Sequence, residues 1–282
     1  MIQWKKGIAS WSVGKTLYLS VPFTWLLPEA ENMARQHKGK VIAGGPAVKL
    51  LGAPWADETP DSVPYDTLSF HNPLATFTTR GCPNYCPFCA VPRIEGKFRE
   101  LDTWKPAPIV CDNNLLAASP EHFRRVIESV SCFPYVDFNQ GLDARLFDVE
   151  HARLISSLHH AKVRFSFDHR ASENTVHAAI DLARFFKLKD LGVYVLIGYN
   201  DTPEDALYRL EKVRSWGIFP NPMRYQPLDA LVKNSYVAPY WTEKELKDVI
   251  RYFSRLAFVN GIPFENYDYH KRDERQETLW QQ

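Results

Sequence analysis

Residues 74–89 read LATFTTRGCPNYCPFC. Residues 74–79 are rich in β-branched and aromatic side chains, which predicts a strand. Gly81 ends it, and the loop that follows holds Cys82, Cys86 and Cys89 between Pro83 and Pro87. Working outward, further strands are predicted at residues 107–112, 135–139, 162–168, 192–198 and 222–228. Helical patterns fill the gaps. Ser119-Pro120 opens one as N-cap and first-turn proline, and Phe123, Val126, Ile127 and Val130 form its apolar stripe. Thr202-Pro203 opens another, with Asp205 at its third position. Residues 144–159 and 172–186 supply two more, and Thr242 with Glu245 forms a capping box for a helix through residue 256.

Repeated strand-helix units predict parallel strands with right-handed crossovers. The expected fold is α/β, a partial (β/α)6 TIM-like barrel over residues 73–228, with a doubly wound open sheet as the alternative. Chemistry in a barrel gathers at the carboxyl ends of strands. The cysteine loop falls on that rim, together with Asp112, Asn139, Asp168 and Gly198. Residues 1–60 read as a small β-α-β segment, with strands at 16–23 and 40–48 and a helix at 27–37. A Pro-, Gly- and Asp-rich loop follows at 51–66. Residues 229–282 read as a helical extension whose aromatics, at 236–241 and 253–269, close the barrel mouth. Residues 269–277 form a charged tail.

Composition narrows the classes. With 282 residues, 45% hydrophobic and 24% charged, the chain has the make-up of a soluble globular protein. A formal charge of +1 gives no global attraction to nucleic acid. The start of the chain lacks a signal-peptide core, and no run is apolar enough to span a membrane. Five cysteines in a chain this long do not suggest a secreted disulfide framework, so a reducing cytoplasm is expected. Ser12-Val13-Gly14-Lys15-Thr16 hints at a phosphate loop and fails, because residue 9 is alanine and a strand follows.

The spacing C-x3-C-x2-C suits either iron-sulfur or zinc chemistry. Structural zinc wants a fourth protein ligand, and none lies close by; His71 is the nearest upstream. Three thiolates can instead hold three irons of a [4Fe-4S] cluster and leave the fourth open. Three merely packed cysteines are a further reading. Cys111 points away from Asp112 into packing, and Cys132 is read as packed too.

The run TTRGCPNYCPFC at 78–89, with the aromatic Phe88 before the last cysteine, resembles the radical S-adenosylmethionine (SAM) superfamily. That resemblance covers residues 73–228 and implies the partial barrel, a [4Fe-4S] cluster on Cys82, Cys86 and Cys89, and SAM on the open iron. It implies reductive cleavage of SAM to a 5'-deoxyadenosyl radical that takes a hydrogen from substrate. An electron donor such as flavodoxin or ferredoxin follows. Phe88 is implied beside adenine, and Asp112 with Asn113 at the SAM amino group, where a carboxylate matches an ammonium. Ser166 and Asp168, two apart on one strand face, resemble residues that hold the ribose and methionine parts. Gly198 resembles the glycine beside adenine. Each has a plainer reading: a turn cap for Asp112 and Asn113, a turn start for Asp168, a strand end for Gly198.

Asn139, Gln140, Asp143, Arg145 and Gln226 are candidates for lining a substrate cavity, with a surface salt network as the alternative. Arg93, Lys97 and Arg99 either touch phosphate or form a solvated loop. The stretch VIAGGPAV at 41–48 resembles the last strand of the cobalamin-binding domain that precedes many radical SAM barrels. The D-x-H-x-x-G loop that supplies the cobalt ligand is missing and His37 lacks its context, so no cobalamin is expected and the segment reads as a truncated remnant. The cysteine run also resembles methylthiotransferases, whose further N-terminal cysteines and nucleic-acid-binding domain are not seen. The substrate stays open among RNA (tRNA included), a peptide and a small metabolite. Two other classes stand beside this reading: a nucleic-acid-binding module with structural zinc, and an iron-sulfur electron-transfer protein.

Overall fold

The computed structural model describes residues 4–5 and 7–267. The charged tail at 269–277 lies outside them. By internal contacts the chain forms two units. One comprises Met1–Phe165, Thr175–Leu191 and Gln226–Tyr236, the other Ser166–Asn174, Gly192–Tyr225 and Val237–Gln282. The expected sections at 1–60, 73–228 and 229–282 are therefore not the contact units.

The first unit begins with a hairpin that the sequence reading lacked. Strands β1 (Ala9–Val13) and β2 (Thr16–Ser20) pair antiparallel, joined by Gly14-Lys15. Gly14 has φ 59°, the left-handed backbone that a two-residue hairpin turn demands. The stretch that mimics a phosphate loop is this turn. Helix α1 (Leu27–Gln36) starts on Pro28 and buries Leu27, Ala30 and Ala34. It returns the chain to β3 (Val41–Gly44), parallel to β2. The segment is thus β-β-α-β. Its last strand is shorter than expected, because Pro46 starts a helix, α2 (Pro46–Leu51). Gly45, at φ 95°, makes that corner, and a Cβ there would lie 2.8 Å from the carbonyl oxygen of Val21. Leu19, Val21, Ala43 and Ala47 fill the small core with α1.

Helix α3 (Thr67–His71) leads to β4 (Ala75–Thr76). The strand expected over 74–79 breaks in two. Its second piece, β5 (Thr79–Arg80), pairs antiparallel with β6 (Arg99–Glu100), which follows α4 (Val91–Ile94). The break has a cause: the amides of Thr78 and Thr79 donate to the Asp112 carboxylate instead of to a neighbouring strand.

From there the rhythm is regular. In chain order come β7 (Ile109–Val110), α5 (Pro120–Val130), β8 (Val136–Phe138), α6 (Val149–Ser156), β9 (Ala161–Ser166), α7 (Glu173–Phe185), β10 (Asp190–Ile197), α8 (Pro203–Ser215), β11 (Pro220–Arg224) and α9 (Glu243–Ser254). The result is α/β with a six-stranded sheet in the order β11-β10-β9-β8-β7-β4. The pairs β4–β7, β7–β8, β8–β9 and β10–β11 are parallel. The division into units runs through β9 and β10, so each unit holds part of both.

The predicted caps are present. Ser119 Oγ accepts from the amide of His122, and Phe123, Val126, Ile127 and Val130 are buried. Thr202 caps α8, and Thr242 with Glu245 closes both halves of the box on α9. Along β9 the side chains alternate: Val163 and Phe165 are buried, while Arg164 and Ser166 point to the other face, and just past the strand Phe167 is buried and Asp168 half-buried. No described helix is long and apolar enough to cross a membrane.

Candidate functional site

The cysteine loop is tied at both ends by one carboxylate. Glu95 Oε2 accepts from the amide of Gly81 at 2.7 Å and from Asn113 Nδ2 at 2.9 Å. Glu95 Oε1 pairs with Arg80 at 2.9 Å, and the Arg80 guanidinium lies 3.9 Å above the Phe77 ring. Gly81, at φ 74°, is required for this closure, since a Cβ would fall 2.4 Å from the carbonyl oxygen of Lys97. Asp112 holds the strand end just before the loop. It is 3% exposed, and its oxygens accept from both Thr78 and Thr79. Burial pushes its carboxyl above the usual range, while those hydrogen bonds pull the other way.

Within the loop, Cys82, Cys86 and Cys89 are all half-buried and outside any disulfide. The amide of Cys89 donates to the carbonyl of Cys86 at 3.0 Å, turning the chain between them. Cys82 Sγ accepts from the Asn84 amide at 3.4 Å and from Asn114 Nδ2 at 3.7 Å. Asp143 is the hub beside them. Its carboxylate accepts from Asn84 Nδ2 at 3.0 Å, Asn114 Nδ2 at 3.2 Å and Arg145 Nη2 at 2.6 Å. Burial alone would raise the Asp143 carboxyl; the Arg145 and Asn84 hydrogen bonds outweigh it and hold it below the usual range. Asp143 raises the Arg145 guanidinium in turn, with Cys86 and Cys82 adding to the effect, so the cation lies within electrostatic reach of two of the thiols.

Among the described residues, no three His, Cys, Asp or Glu side chains gather as ligands of one metal ion. The thiolates of an iron-sulfur cluster each bond a different iron, so they need not meet at a point. The donor chemistry fits such a group: three thiols on one loop, N–H donors aimed at a sulfur, and an arginine beside them. His71, the nearest upstream candidate for a fourth zinc ligand, contacts Ser20 Oγ through Nε2 at 3.0 Å and the carbonyl of Lys5 through Nδ1 at 3.5 Å.

The other sequence candidates separate. Asn113 is tied to Glu95, and Phe88 is half-buried next to Cys89. Asp143 and Arg145 form the hub rather than a solvent-facing network alone. Asn139 and Gln140 line a cleft of about 1510 Å3 in the first unit, together with Phe77, Arg80, Arg93 and Cys111. The cleft runs from the strand ends to Tyr18, Ser20 and Gly44 of the N-terminal sheet. Lys97 and Arg99 do not line it. Gln226 folds back on its own loop, exchanging hydrogen bonds with Asn234 at 2.9 and 3.1 Å. That corrects its expected place in a strand, because β11 ends at Arg224. Cys111 is 1% exposed, and burial lifts its thiol to about 12. Cys132 is exposed, not packed: it sits just past the end of α5, where the chain turns into solvent.

In the second unit, Ser166 is exposed at the last position of β9, and Asp168, half-buried, lies two residues past its end, so the expected strand through 168 stops short of it. Burial raises the Asp168 carboxyl, against the Leu196 amide and nearby Arg209. Gly198 is at φ 73°, and its amide donates to Asp201 Oδ1 at 2.9 Å. Arg209, 1% exposed, holds Asp201 Oδ2 at 2.5 Å and the carbonyl of Leu196 at 2.7 Å. Trp241 Nε1 donates to Asp201 at 3.1 Å. The reading from sequence missed Glu95, Asn84, Asn114 and this Asp201–Arg209–Trp241 latch. Asn84 lies inside the motif and Asn114 just after Asp112-Asn113, but their importance comes from Asp143, 59 and 29 residues away respectively. No family model matches this chain, and no curated protein matches it.

Proposed function

We propose that this chain is a radical SAM enzyme whose Cys82, Cys86 and Cys89 hold a [4Fe-4S] cluster with one open iron. The carrying observation is the loop itself: three half-buried cysteines follow the short strand β5, with two N–H donors on the Cys82 sulfur and the Arg145 cation within electrostatic reach of Cys82 and Cys86. The strand order supports the barrel form of the fold. It never reverses, whereas a doubly wound sheet reverses at a switch point.

When bound, such a cluster supplies one electron to SAM, which divides into methionine and a 5'-deoxyadenosyl radical that takes a hydrogen atom from substrate. A flavodoxin- or ferredoxin-type donor delivers the electron. The chain's own residues do the holding. Glu95 and Gly81 close the loop, and Asp112 fixes the backbone before it. Because the oxygens of Asp112 already carry donors from Thr78 and Thr79, a SAM ammonium at this corner would have to share them. Ser166, Asp168 and Gly198, all in the second unit, are proposed as SAM contacts on the resemblance alone. The cleft supports a bulky substrate, since it exceeds the roughly 300–1,000 Å3 of ordinary small-molecule pockets.

Anaerobic reconstitution tests the reading. The expected result is about four irons per chain, with 5'-deoxyadenosine formed only when SAM and reductant are both present. The triple variant Cys82→Ala, Cys86→Ala, Cys89→Ala should lose both. Tight zinc with no SAM turnover would overturn the proposal.

A further inference from the structure

Asn114 is 2% exposed, and its side chain is divided in an unusual way. The Nδ2 end faces two acceptors, Cys82 Sγ at 3.7 Å and Asp143 Oδ2 at 3.2 Å. The Oδ1 end is buried with no hydrogen-bond partner among the described residues. Turned over, the amide would set its carbonyl against the Asp143 carboxylate, which fixes its orientation. A buried acceptor without a donor is destabilising. The fold tolerates it for the sake of the NH2 end. Asp143 keeps that end in place, bonding Asn114, Asn84 and Arg145 at once.

We infer that Asn114 is a positioning residue that clamps Cys82 and, through its N–H···S hydrogen bond, raises the electron affinity of the iron-sulfur group held there. This rests on the cluster reading above. The physical cause is simple. An electron added to a cluster spreads onto the thiolate sulfurs, and a donor on sulfur stabilises the more negative, reduced form. The backbone amide of Asn84 acts on the same sulfur in the same sense and is left in place by substitutions at Asn114.

The test is an EPR-monitored redox titration of the reconstituted full chain, wild type against Asn114→Leu, with iron content measured in both. Leucine has a similar volume and no donor. The expected result is equal iron and an electron affinity lower by on the order of tenfold, which is 59 mV for a one-electron couple. Asn114→Gln, which keeps a donor, should recover part of the shift. If Asn114→Leu fails to hold iron, Asn114→Ala, which leaves room instead of filling it, provides the same measurement. Equal potentials in wild type and variant would overturn the role of Asn114 and leave the cluster reading standing. A wild-type chain that takes up no iron would overturn the cluster reading itself.

Discussion

Gly81 shows how much one residue can decide. Its positive φ and its closeness to the Lys97 carbonyl leave no space for a side chain. Gly81→Ala should cost about 1–3 kcal/mol through backbone strain, and the displaced loop should hold less iron after reconstitution; an unchanged denaturation midpoint would contradict this. Asp143 offers a pH test. Its folded carboxyl sits below the usual 3.8, so its contribution is complete above 3.8 and is lost only as the pH falls through the lower folded value. Asp143→Asn should therefore change stability at pH 7 and progressively less as the pH drops below 3.8, measured by urea denaturation across pH. None of this was legible in the residues themselves. Asp143 and Arg145 stood out as a dense polar group, but only the fold sets them beside Cys82.

Elements behave as their local chemistry dictates. The caps on α5, α8 and α9 were readable because a Ser or Thr next to its own helix needs no distant partner. Thr242→Ala should destabilise α9 by about 1 kcal/mol, seen as a lower urea midpoint with an unchanged slope. His71 ends α3 and meets Ser20 at the end of β2. Burial lowers its imidazole below 6.5, so the contact stabilises fully above 6.5 and fades as the pH falls through the folded value. His71→Gln should flatten that part of the stability profile, with thermal unfolding at pH 7.5 and 5.5 as the check. Strand edges were less legible. Residues 74–79 look like one strand, and the Asp112 carboxylate splits them. The hairpin at Gly14 was not read: the phosphate-loop likeness was rejected, but no strand was assigned before residue 16, where β1 pairs with β2.

Across the whole molecule, the repeated strand-helix pattern set the α/β class, and the core follows from the alternation along each strand. Phe165 is fully buried, with its ring 5.1 Å from that of Phe147. Phe165→Ala should cost about 3–5 kcal/mol, a large share of the roughly 5–15 kcal/mol that holds a domain, and should lower the melting temperature markedly. The N-terminal sheet was read as a remnant, yet its strands form one side of the cleft that Asn139 and Gln140 line. Gln226 was placed in a strand and belongs to a loop, since the strand ends two residues earlier.

By itself the sequence determined what depends on neighbours along the chain: the three-thiol loop, the helix caps, the alternation of strand and helix, and the small residues at sharp turns. Tertiary structure decided what depends on partners far apart in sequence. It gave Asp112 to the backbone of Thr78 and Thr79, Glu95 to Gly81 and Asn113, and Asn114 to Cys82. A carboxylate or amide carries no mark of its future partner. Its chemistry is fixed only when folding removes water and leaves it a few specific donors and acceptors.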